Sequence, residues 1–195
     1  MDIEAALLTG GASRRMGRDK ATLDVRGRPL AEVIASRILA VGIPVTVLGP
    51  KPLPGCTLQQ DISPHEGPLV ALSRFQPRAD FLFVCSCDLP LFDARIIEVL
   101  SDLVGNRDAA IPLSQGRPQP LCALYLARAL AGLSEWVRQG SRRVMEWIEA
   151  LDYIGVSEEH LESRGLSRHC VRHANTPQEL ELLLSLGVAR PEPEA

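Results

Sequence analysis

The segment from Leu8 to Lys20 combines glycines and cations in a way that suits a polyphosphate ligand. Its glycines, Gly10, Gly11 and Gly17, let the backbone approach a ligand closely and adopt positive φ angles. Backbone N–H groups in such a loop form a nest for anions. The cations of the segment are Arg14, Arg15, Arg18 and Lys20. A flexible basic loop is the alternative interpretation, but the apolar run before the segment and the density of its cations favour phosphate binding.

The same segment does not fit two other phosphate-binding motifs. In a Walker A loop the lysine follows a glycine and precedes a Ser or Thr, whereas Lys20 follows Asp19 and precedes Ala21. The dinucleotide-binding pattern G-x-G-x-x-G does not occur in the segment either. The sequence therefore indicates a phosphate loop of a different kind.

Acidic residues follow two further predicted strands, of which the second is the weaker. Asp88 comes shortly after the run Phe81–Cys85, and Asp61 comes directly after Thr57–Gln60. A carboxylate at the end of a buried strand is held rigidly and is a good ligand for Mg²⁺, which also takes phosphate oxygens and water. Asp88 could instead cap the next helix, but Asp93 fits that cap better, so we favour the metal role. Asp61 taken alone is typical of a turn.

Short apolar runs alternate with amphipathic stretches along most of the chain. The predicted strands are Ala5–Thr9, Val45–Leu48, Thr57–Gln60, Phe81–Cys85, Ala109–Pro112, Leu121–Tyr125, Tyr153–Val156 and Cys170–His173. The predicted helices are Leu30–Val41, Leu69–Arg74, Asp93–Leu103, Arg128–Gln139, Arg143–Leu151 and Pro177 to about Leu186, and Leu113–Pro120 is predicted as a loop. This alternation predicts an α/β fold of three layers, α/β/α, around a Rossmann-like, mostly parallel sheet. Ligands of such sheets bind at the carboxyl ends of the strands.

The last helix has a defined start. Thr176 is at the N-cap position, Pro177 is the first helical residue and Glu179 completes a capping box. We expect a single domain over residues 1–187 and a disordered tail over residues 188–195.

Composition excludes several classes of protein. The 195 residues include 21 Lys and Arg against 24 Asp and Glu, so the net charge of -3 argues against a nucleic-acid or membrane-surface protein. No apolar run reaches the ~20 residues that a bilayer span needs, and the N-terminus lacks the features of a signal peptide. The five scattered cysteines are expected to be buried apolar residues and neither a disulfide framework nor a metal site. A cytoplasmic location follows as the expectation.

The glycine- and arginine-rich loop resembles the nucleotidyltransferase pattern L-x-x-G-x-x-x-R-M-G-x-x-K. The paired glycines Gly10-Gly11 are similar to those of the molybdenum cofactor guanylyltransferase family, whereas related cytidylyltransferases typically have an alanine before a single glycine. Further similarities are the Cys-Asp-x-Pro stretch at Cys87–Pro90, Gly67-Pro68-Leu69 and the stretch 173–177, which resembles N-x-N-T-P. The resemblance implies the fold of the nucleotide-diphospho-sugar transferases.

The resemblance also implies a role for particular residues. The implied nucleotide-binding residues are Leu8, Thr9, Gly10, Gly11, Lys20, Asp61, Gly67, Pro68, Leu69 and Asp88. The implied catalytic residues are Lys20, Arg15 and Asp88, with Asp88 binding the metal. The implied acceptor-binding residues are Gln119, Arg142, Arg143 and Asn175. For the two arginines a solvated first helical turn is the alternative, and for Asn175 the alternative is a turn residue before the N-cap.

Two positions depart from the family pattern. His173 replaces the first asparagine of N-x-N-T-P. Leu48 stands where some members carry an asparagine that contacts the nucleotide. Because a leucine side chain makes no polar contact, recognition of guanine there must use the backbone or neighbouring residues.

The resemblance implies transfer of GMP from GTP to the terminal phosphate of molybdopterin, with Mg²⁺ as cofactor and release of pyrophosphate. The implied partners are GTP and molybdopterin or the molybdenum cofactor, with transient contacts to proteins that supply the cofactor or mature molybdoenzymes, and no nucleic acid or membrane. One alternative is a cytidylyl- or sugar-nucleotide transferase of the same superfamily. Another is a non-catalytic protein that binds a nucleotide or the cofactor.

Overall fold

Strands and helices alternate through most of the chain. A computed structural model describes residues 1–10, 24–25, 27–60, 62 and 67–187. The strands are β1 (Ile3–Leu8), β2 (Asp24–Val25), β3 (Arg28–Pro29), β4 (Val45–Gly49), β5 (Thr57–Gln60), β6 (Phe81–Ser86), β7 (Ala109–Ser114), β8 (Arg117–Pro118), β9 (Cys122–Leu126) and β10 (Tyr153–Val156). The helices are α1 (Leu30–Ala40), α2 (Pro68–Ser73), α3 (Ile96–Val104), α4 (Leu133–Arg138), α5 (Val144–Glu149), α6 (Glu158–Ser163) and α7 (Pro177–Gly187), and a 3₁₀ turn spans Ala127–Leu130.

One sheet runs through the molecule in the strand order β10-β7-β9-β6-β1-β4-β5, and β8 is added to β7. β1 pairs in parallel with β4 and β6, β4 with β5, and β7 with β10. β9 runs antiparallel to both of its neighbours, β6 and β7. The carboxyl ends of β1, β4, β5, β6, β7 and β10 therefore lie at one edge of the sheet, which we name the carboxyl edge. The predicted mostly parallel sheet is confirmed.

Apolar side chains alternate between the two faces of the sheet. Ala5 and Leu7 of β1 belong to one core cluster, which includes buried residues of α1, α3 and α6. Ala6 and Leu8 belong to a second cluster, which includes buried residues of α2, α4 and α5. Helices thus cover both faces, because the period-2 pattern of the central strands is apolar on each side. The three-layer α/β/α arrangement is confirmed.

The predicted capping box at the start of α7 is confirmed. Thr176 Oγ1 accepts a hydrogen bond of 3.1 Å from the Glu179 N–H, and Glu179 Oε2 accepts one of 3.2 Å from the Thr176 N–H. These reciprocal bonds satisfy backbone donors at the helix start. In the described part of the chain, no helix is long and apolar enough to span a lipid bilayer.

Two predictions in the C-terminal half are wrong: one predicted strand is a turn, and one predicted loop contains paired strand residues. Cys170–His173 forms no strand: the Cys170 N–H donates to the Ser167 carbonyl at 3.0 Å, which closes a turn. Leu113–Pro120 is only partly a loop, since β8 pairs with β7 as a hairpin. The two central residues of that hairpin, Gln115 (φ 52°) and Gly116 (φ 73°), both have positive φ, as a type I′ turn requires.

Two helix predictions also need correction, and one helix was missed. The predicted helix Arg128–Gln139 is divided into the 3₁₀ turn and α4, with Gly132 directly before α4. α3 begins at Ile96, later than predicted, because Asp93 Oδ1 accepts a hydrogen bond from the Arg95 N–H in the turn before the helix. α6 was not predicted, although Ser157 before two glutamates is a typical start, and its Oγ accepts from the His160 N–H at 3.2 Å.

Candidate functional site

The end of β6 lies at the centre of the carboxyl edge, where backbone hydrogen bonds join it to two distant segments. The Cys87 N–H donates to the Leu8 carbonyl at 3.1 Å, which connects the turn after β6 to the end of β1. The Ala174 N–H donates to the Asp88 carbonyl at 2.9 Å, which connects the same turn to the segment before α7. The backbone of Asp88 is therefore fixed by a contact from the C-terminal part of the chain.

The side chain of Asp88 lies at this edge and is only 8% exposed. Its Oδ1 accepts a hydrogen bond of 2.7 Å from the Ser86 hydroxyl. A carboxylate with this little solvent needs hydrogen-bond or charge partners to remain ionised. The sequence placed Asp88 at the ligand edge, and the structure shows it held there in a defined orientation.

His173 is the second partner of that carboxylate. Its Nδ1 lies 2.7 Å from Asp88 Oδ1 and 3.3 Å from Ser86 Oγ. An ionised carboxylate only accepts hydrogen bonds, so when Asp88 is ionised the proton of this contact lies on Nδ1. The sequence marked this position only as a departure from the family pattern, and the structure assigns it a direct contact with the predicted metal ligand.

The carboxyl ends of β1 and β4 approach each other closely beside this centre. The Thr9 N–H donates to the Leu48 carbonyl at 3.0 Å. A Cβ on Gly49 would clash with Thr9 Oγ1 and lie 3.0 Å from the Gly10 nitrogen, so only glycine fits without movement of one of them. Thr9 Oγ1 is buried and has no hydrogen-bond partner among the described residues. This hydroxyl is suited to contact a polar ligand at the edge.

Leu48, which departs from the family pattern, and the predicted site residues Leu8 and Leu69 all have buried apolar side chains. Leu48 is 1% exposed and belongs to the second core cluster, so its side chain makes no polar contact, as the sequence indicated. Leu8 and Leu69 are buried in the same cluster. Any contact of these residues with a ligand would therefore use their peptide groups.

The remaining nucleotide-side residues fall into two sets. Gly67 precedes α2 with φ 91°, and Pro68 is the first residue of that helix, so the turn has the geometry that the pair Gly-Pro favours. Gly11, Arg15, Lys20 and Asp61 lie outside the described residues. Their predicted roles stay predictions.

The four predicted acceptor residues belong to three different segments. Gln119 closes the β7–β8 hairpin: its N–H donates to the Pro112 carbonyl at 2.8 Å, and its Nε2 donates to the Arg117 carbonyl at 2.9 Å. Asn175 is exposed and its N–H donates to Glu179 Oε2 at 2.6 Å, next to the capping box. Both residues thus take part in local structure.

Arg142 and Arg143 are exposed at the start of α5. Arg143 forms an ion pair of 3.1 Å with Glu146, and its side chain is 81% exposed. Arg142 Nη1 donates to the Val137 carbonyl at 3.3 Å. Within the described part of the chain, neither arginine forms a hydrogen bond or an ion pair with Asp88.

The cysteines around this site are structural. All five are free thiols, and four of them are buried, namely Cys85, Cys87, Cys122 and Cys170. Burial raises the pKa of the Cys85 thiol well above its ordinary value, so it stays protonated at neutral pH. The predicted role as buried apolar residues is confirmed for these four.

The described residues offer few metal-binding side chains. Within 1–10, 24–25, 27–60, 62 and 67–187, no group of three or more His, Cys, Asp or Glu side chains could hold a metal ion. Asp88 thus belongs to no such group among these residues, and phosphate oxygens of a nucleotide are one source of further ligands for a cation there.

Known proteins similar to this chain share both sequence and fold. A probable molybdenum cofactor guanylyltransferase of Nostoc sp. is 28% identical, covering 93% of this chain and 90% of that protein. One of Mycolicibacterium paratuberculosis is 33% identical over 78% of this chain and 83% of that protein. The crystal structure of molybdopterin-guanine dinucleotide biosynthesis protein A from Archaeoglobus fulgidus has a TM-score of 0.78 at 20% identity, with 96% of this chain and 100% of that chain covered.

A second solved structure shows that a similar fold occurs in a cytidylyltransferase. The 2-C-methyl-D-erythritol 4-phosphate cytidylyltransferase of Thermus thermophilus has a TM-score of 0.67 at 17% identity, covering 96% of this chain and all of that chain. Fold alone thus does not separate guanylyl from cytidylyl transfer. The sequence model of the MobA-like NTP transferase domain, however, matches residues 5–154, which is most of the chain. This protein therefore belongs to the family of MobA-like NTP transferases.

Proposed function

We propose that this protein transfers GMP from GTP to the terminal phosphate of molybdopterin, with or without bound molybdenum. An oxygen of the acceptor phosphate forms a bond to the α-phosphorus, the bond between that phosphorus and the α,β-bridging oxygen breaks, and pyrophosphate leaves with the electron pair. The products are molybdopterin guanine dinucleotide and pyrophosphate. Relatives named as guanylyltransferases support this choice of nucleotide and acceptor.

The observation that carries the proposal is the fixed carboxylate at the end of β6. Asp88 lies at the carboxyl edge beside the end of β1, where the glycine- and arginine-rich loop begins. A preorganised group at this edge needs no rearrangement when the phosphates arrive. The arrangement supports phosphoryl-centre chemistry next to the loop.

Nucleotidyltransferases of this family generally use a divalent metal, and we propose Mg²⁺ held by Asp88. When bound, such a cation supplies neutralisation of negative charge on the phosphates. The two oxygens of the donor set, Asp88 Oδ1 and the Ser86 hydroxyl 2.7 Å from it, fit a hard cation. The remaining ligands would be phosphate oxygens and water.

The residues of the glycine-rich loop are proposed to bind and orient the triphosphate. Lys20 and Arg15 supply positive charge, and the amide of Gly10 lies beside Thr9 at the end of β1. Since the acceptor phosphate is already an anion, no general base is required. The task of these residues is to offset charge repulsion and to hold the reacting groups in line.

The acceptor is proposed to bind across the β7–β8 hairpin and the start of α5. Gln119, Arg142, Arg143 and Asn175 are the proposed contacts. The exposure of both arginines supports this role, because an exposed guanidinium is free of a burial constraint and can reach an anionic ligand. Glu146 pairs with Arg143 and would be displaced in part by the acceptor.

We also propose a cytoplasmic reaction, with transient contacts to proteins that supply the cofactor or mature molybdoenzymes. Five free thiols are typical of a protein from a reducing compartment.

The test is release of pyrophosphate with each of the four ribonucleoside triphosphates, with and without molybdopterin. The proposal predicts release with GTP only and in the presence of molybdopterin only. Release with CTP in place of GTP would identify a cytidylyltransferase. Tight binding of GTP without pyrophosphate under all conditions would identify a non-catalytic binding protein.

A further inference from the structure

Three side-chain atoms that can bind a metal, from two distant parts of the chain, lie close together at the end of β6. Asp88 Oδ1 lies 2.7 Å from Ser86 Oγ and 2.7 Å from His173 Nδ1, and Ser86 Oγ lies 3.3 Å from His173 Nδ1. We propose that His173 is a second protein ligand of the cation at Asp88 and that its nitrogen shifts the preference of the site from Mg²⁺ toward Mn²⁺. The inference rests on the proposed function, because it assumes a cation at Asp88.

The spacing of the donors suits adjacent positions on one cation. Octahedral ligands at about 2.1 Å from a metal and at right angles to each other are about 3.0 Å apart. The two proposed ligand atoms, Asp88 Oδ1 and His173 Nδ1, lie 2.7 Å apart, which is about 0.3 Å less than that value. Small side-chain movements would therefore bring Oδ1 and an unprotonated Nδ1 to cis positions.

The position of His173 is fixed by the fold. The Ala174 N–H donates to the Asp88 carbonyl at 2.9 Å, and Ala174 is fully buried. The residue next to His173 is thus hydrogen-bonded to the backbone of Asp88, which fixes the imidazole near the carboxylate. The His173 side chain is 21% exposed and that of Asp88 is 12% exposed, so both side chains keep a small exposed surface at the carboxyl edge.

The chemistry of the two donors differs in a way that has a consequence for the metal. Mg²⁺ selects oxygen ligands and keeps several waters. Imidazole nitrogen binds first-row transition metals, whose affinity for such a donor exceeds that of Mg²⁺. An asparagine at position 173, the residue that the family pattern N-x-N-T-P carries there, would offer an oxygen in its place. The histidine of this chain therefore favours Mn²⁺ relative to Mg²⁺.

The experiment measures the coordination and affinity of the bound metal, and it does not depend on turnover. Mn²⁺ is added to the full-length protein with α,β-methylene-GTP, and pulsed electron paramagnetic resonance records nitrogen couplings to the metal. Protein made with ¹⁵N-histidine assigns a coupling to imidazole, and the His173→Asn variant assigns it to this residue. The matched control is His160→Asn, on α6. Mg²⁺ competition then gives the ratio of Mn²⁺ to Mg²⁺ affinity.

We expect a histidine nitrogen coupling in the wild type and in His160→Asn and its loss in His173→Asn, where the Mn²⁺/Mg²⁺ affinity ratio falls about tenfold. A wild-type spectrum without a histidine coupling would overturn the inference whether or not the variants fold. A coupling that persists in His173→Asn, or an unchanged ratio, would overturn it too. Equilibrium dialysis of the nucleotide analogue separates this failure from that of the proposed function, which requires the analogue to bind.

Discussion

Asp88 and Asp93 lie in the same loop between β6 and α3, yet their surroundings are opposite in kind. Asp88 is 8% exposed, and its Oδ1 contacts the Ser86 hydroxyl and His173. The side chain of Asp93 is 31% exposed and forms hydrogen bonds of 3.1 and 2.6 Å with the guanidinium of Arg95. One carboxylate is oriented by a hydroxyl and an imidazole, whereas the other is paired with a permanent cation.

The two carboxylates differ in the partners that hold them. Burial by itself would raise the pKa of Asp93, but the hydrogen bonds and charge of Arg95 outweigh it and lower the pKa below its ordinary value. That charge is already compensated within the turn. Asp88 Oδ1 instead contacts a hydroxyl and an imidazole at the carboxyl edge, whereas Asp93 is held by Arg95 in the turn before α3.

The largest effect is expected when Asp88 is replaced by asparagine, and Asp93→Asn is the matched control. Asp88→Asn should lower the rate of pyrophosphate release from GTP and molybdopterin at least about a hundredfold, because loss of the carboxylate removes several kcal/mol of charge stabilisation. Asp93→Asn should keep the wild-type rate within about twofold. Initial rates check this, with circular dichroism melting as the control for folding. Equal losses in both variants would remove the distinction between the two aspartates.

The next effect concerns the neighbouring strand end, where β1 and β4 approach each other. Gly49→Ala should raise the KM for GTP about tenfold and lower the free energy of unfolding by about 1–3 kcal/mol, because the added methyl group meets Thr9 Oγ1. The matched control is Gly132→Ala, since nothing lies within 4 Å of its added Cβ and its φ is -92°. Steady-state kinetics and urea unfolding measure both. A Gly49→Ala protein with wild-type KM would show that the nucleotide does not approach this contact.

A smaller effect is expected on the acceptor side. Arg143→Ala should raise the KM for molybdopterin about three- to tenfold, which corresponds to about 1 kcal/mol of binding, and leave the KM for GTP unchanged. The control is Arg138→Ala, which removes another exposed partner of a glutamate, Glu135. Kinetics with varied acceptor check this prediction. If both variants behave alike, Arg143 belongs only to the solvated surface of α5.

The smallest effect is expected on the free energy of unfolding of the Asp93→Asn variant. Because the pKa of this group is lowered in the folded state, its ionised form stabilises the protein above the unfolded pKa of about 4, and the contribution is lost as the pH falls through the folded pKa. Asp93→Asn should therefore lower the free energy of unfolding at pH 7 by less than about 1 kcal/mol, since the pair is partly exposed. Urea unfolding at pH 7 and pH 3 measures this. A variant deficit that grows toward low pH would contradict it.

Features set by local sequence were predictable. The strand before Asp88 is a continuous apolar run, and the capping box at Thr176 and Glu179 has its full set of residues within one turn. In each case the interacting residues are close in sequence, so the pattern contains the information.

Features set by distant contacts were not predictable. His173 and Asp88 are 85 residues apart in sequence, and only the fold brings them together. The run Cys170–His173 has an apolar start, like a strand, but packing against the core and the turn at Ser167 decide its conformation. The insertion of antiparallel β9 between β6 and β7 likewise depends on pairing partners that a single sequence does not reveal.

The most direct test follows the phosphorus atoms of GTP. GTP labelled in the α-phosphate or in the γ-phosphate is incubated with molybdopterin and the wild-type protein or Asp88→Asn, and the products are separated. The account predicts that the α-label moves into a pterin-containing product and the γ-label into pyrophosphate, and that Asp88→Asn yields neither at a comparable rate. The γ-label on the acceptor, or an undiminished transfer of the α-label by Asp88→Asn, would contradict it.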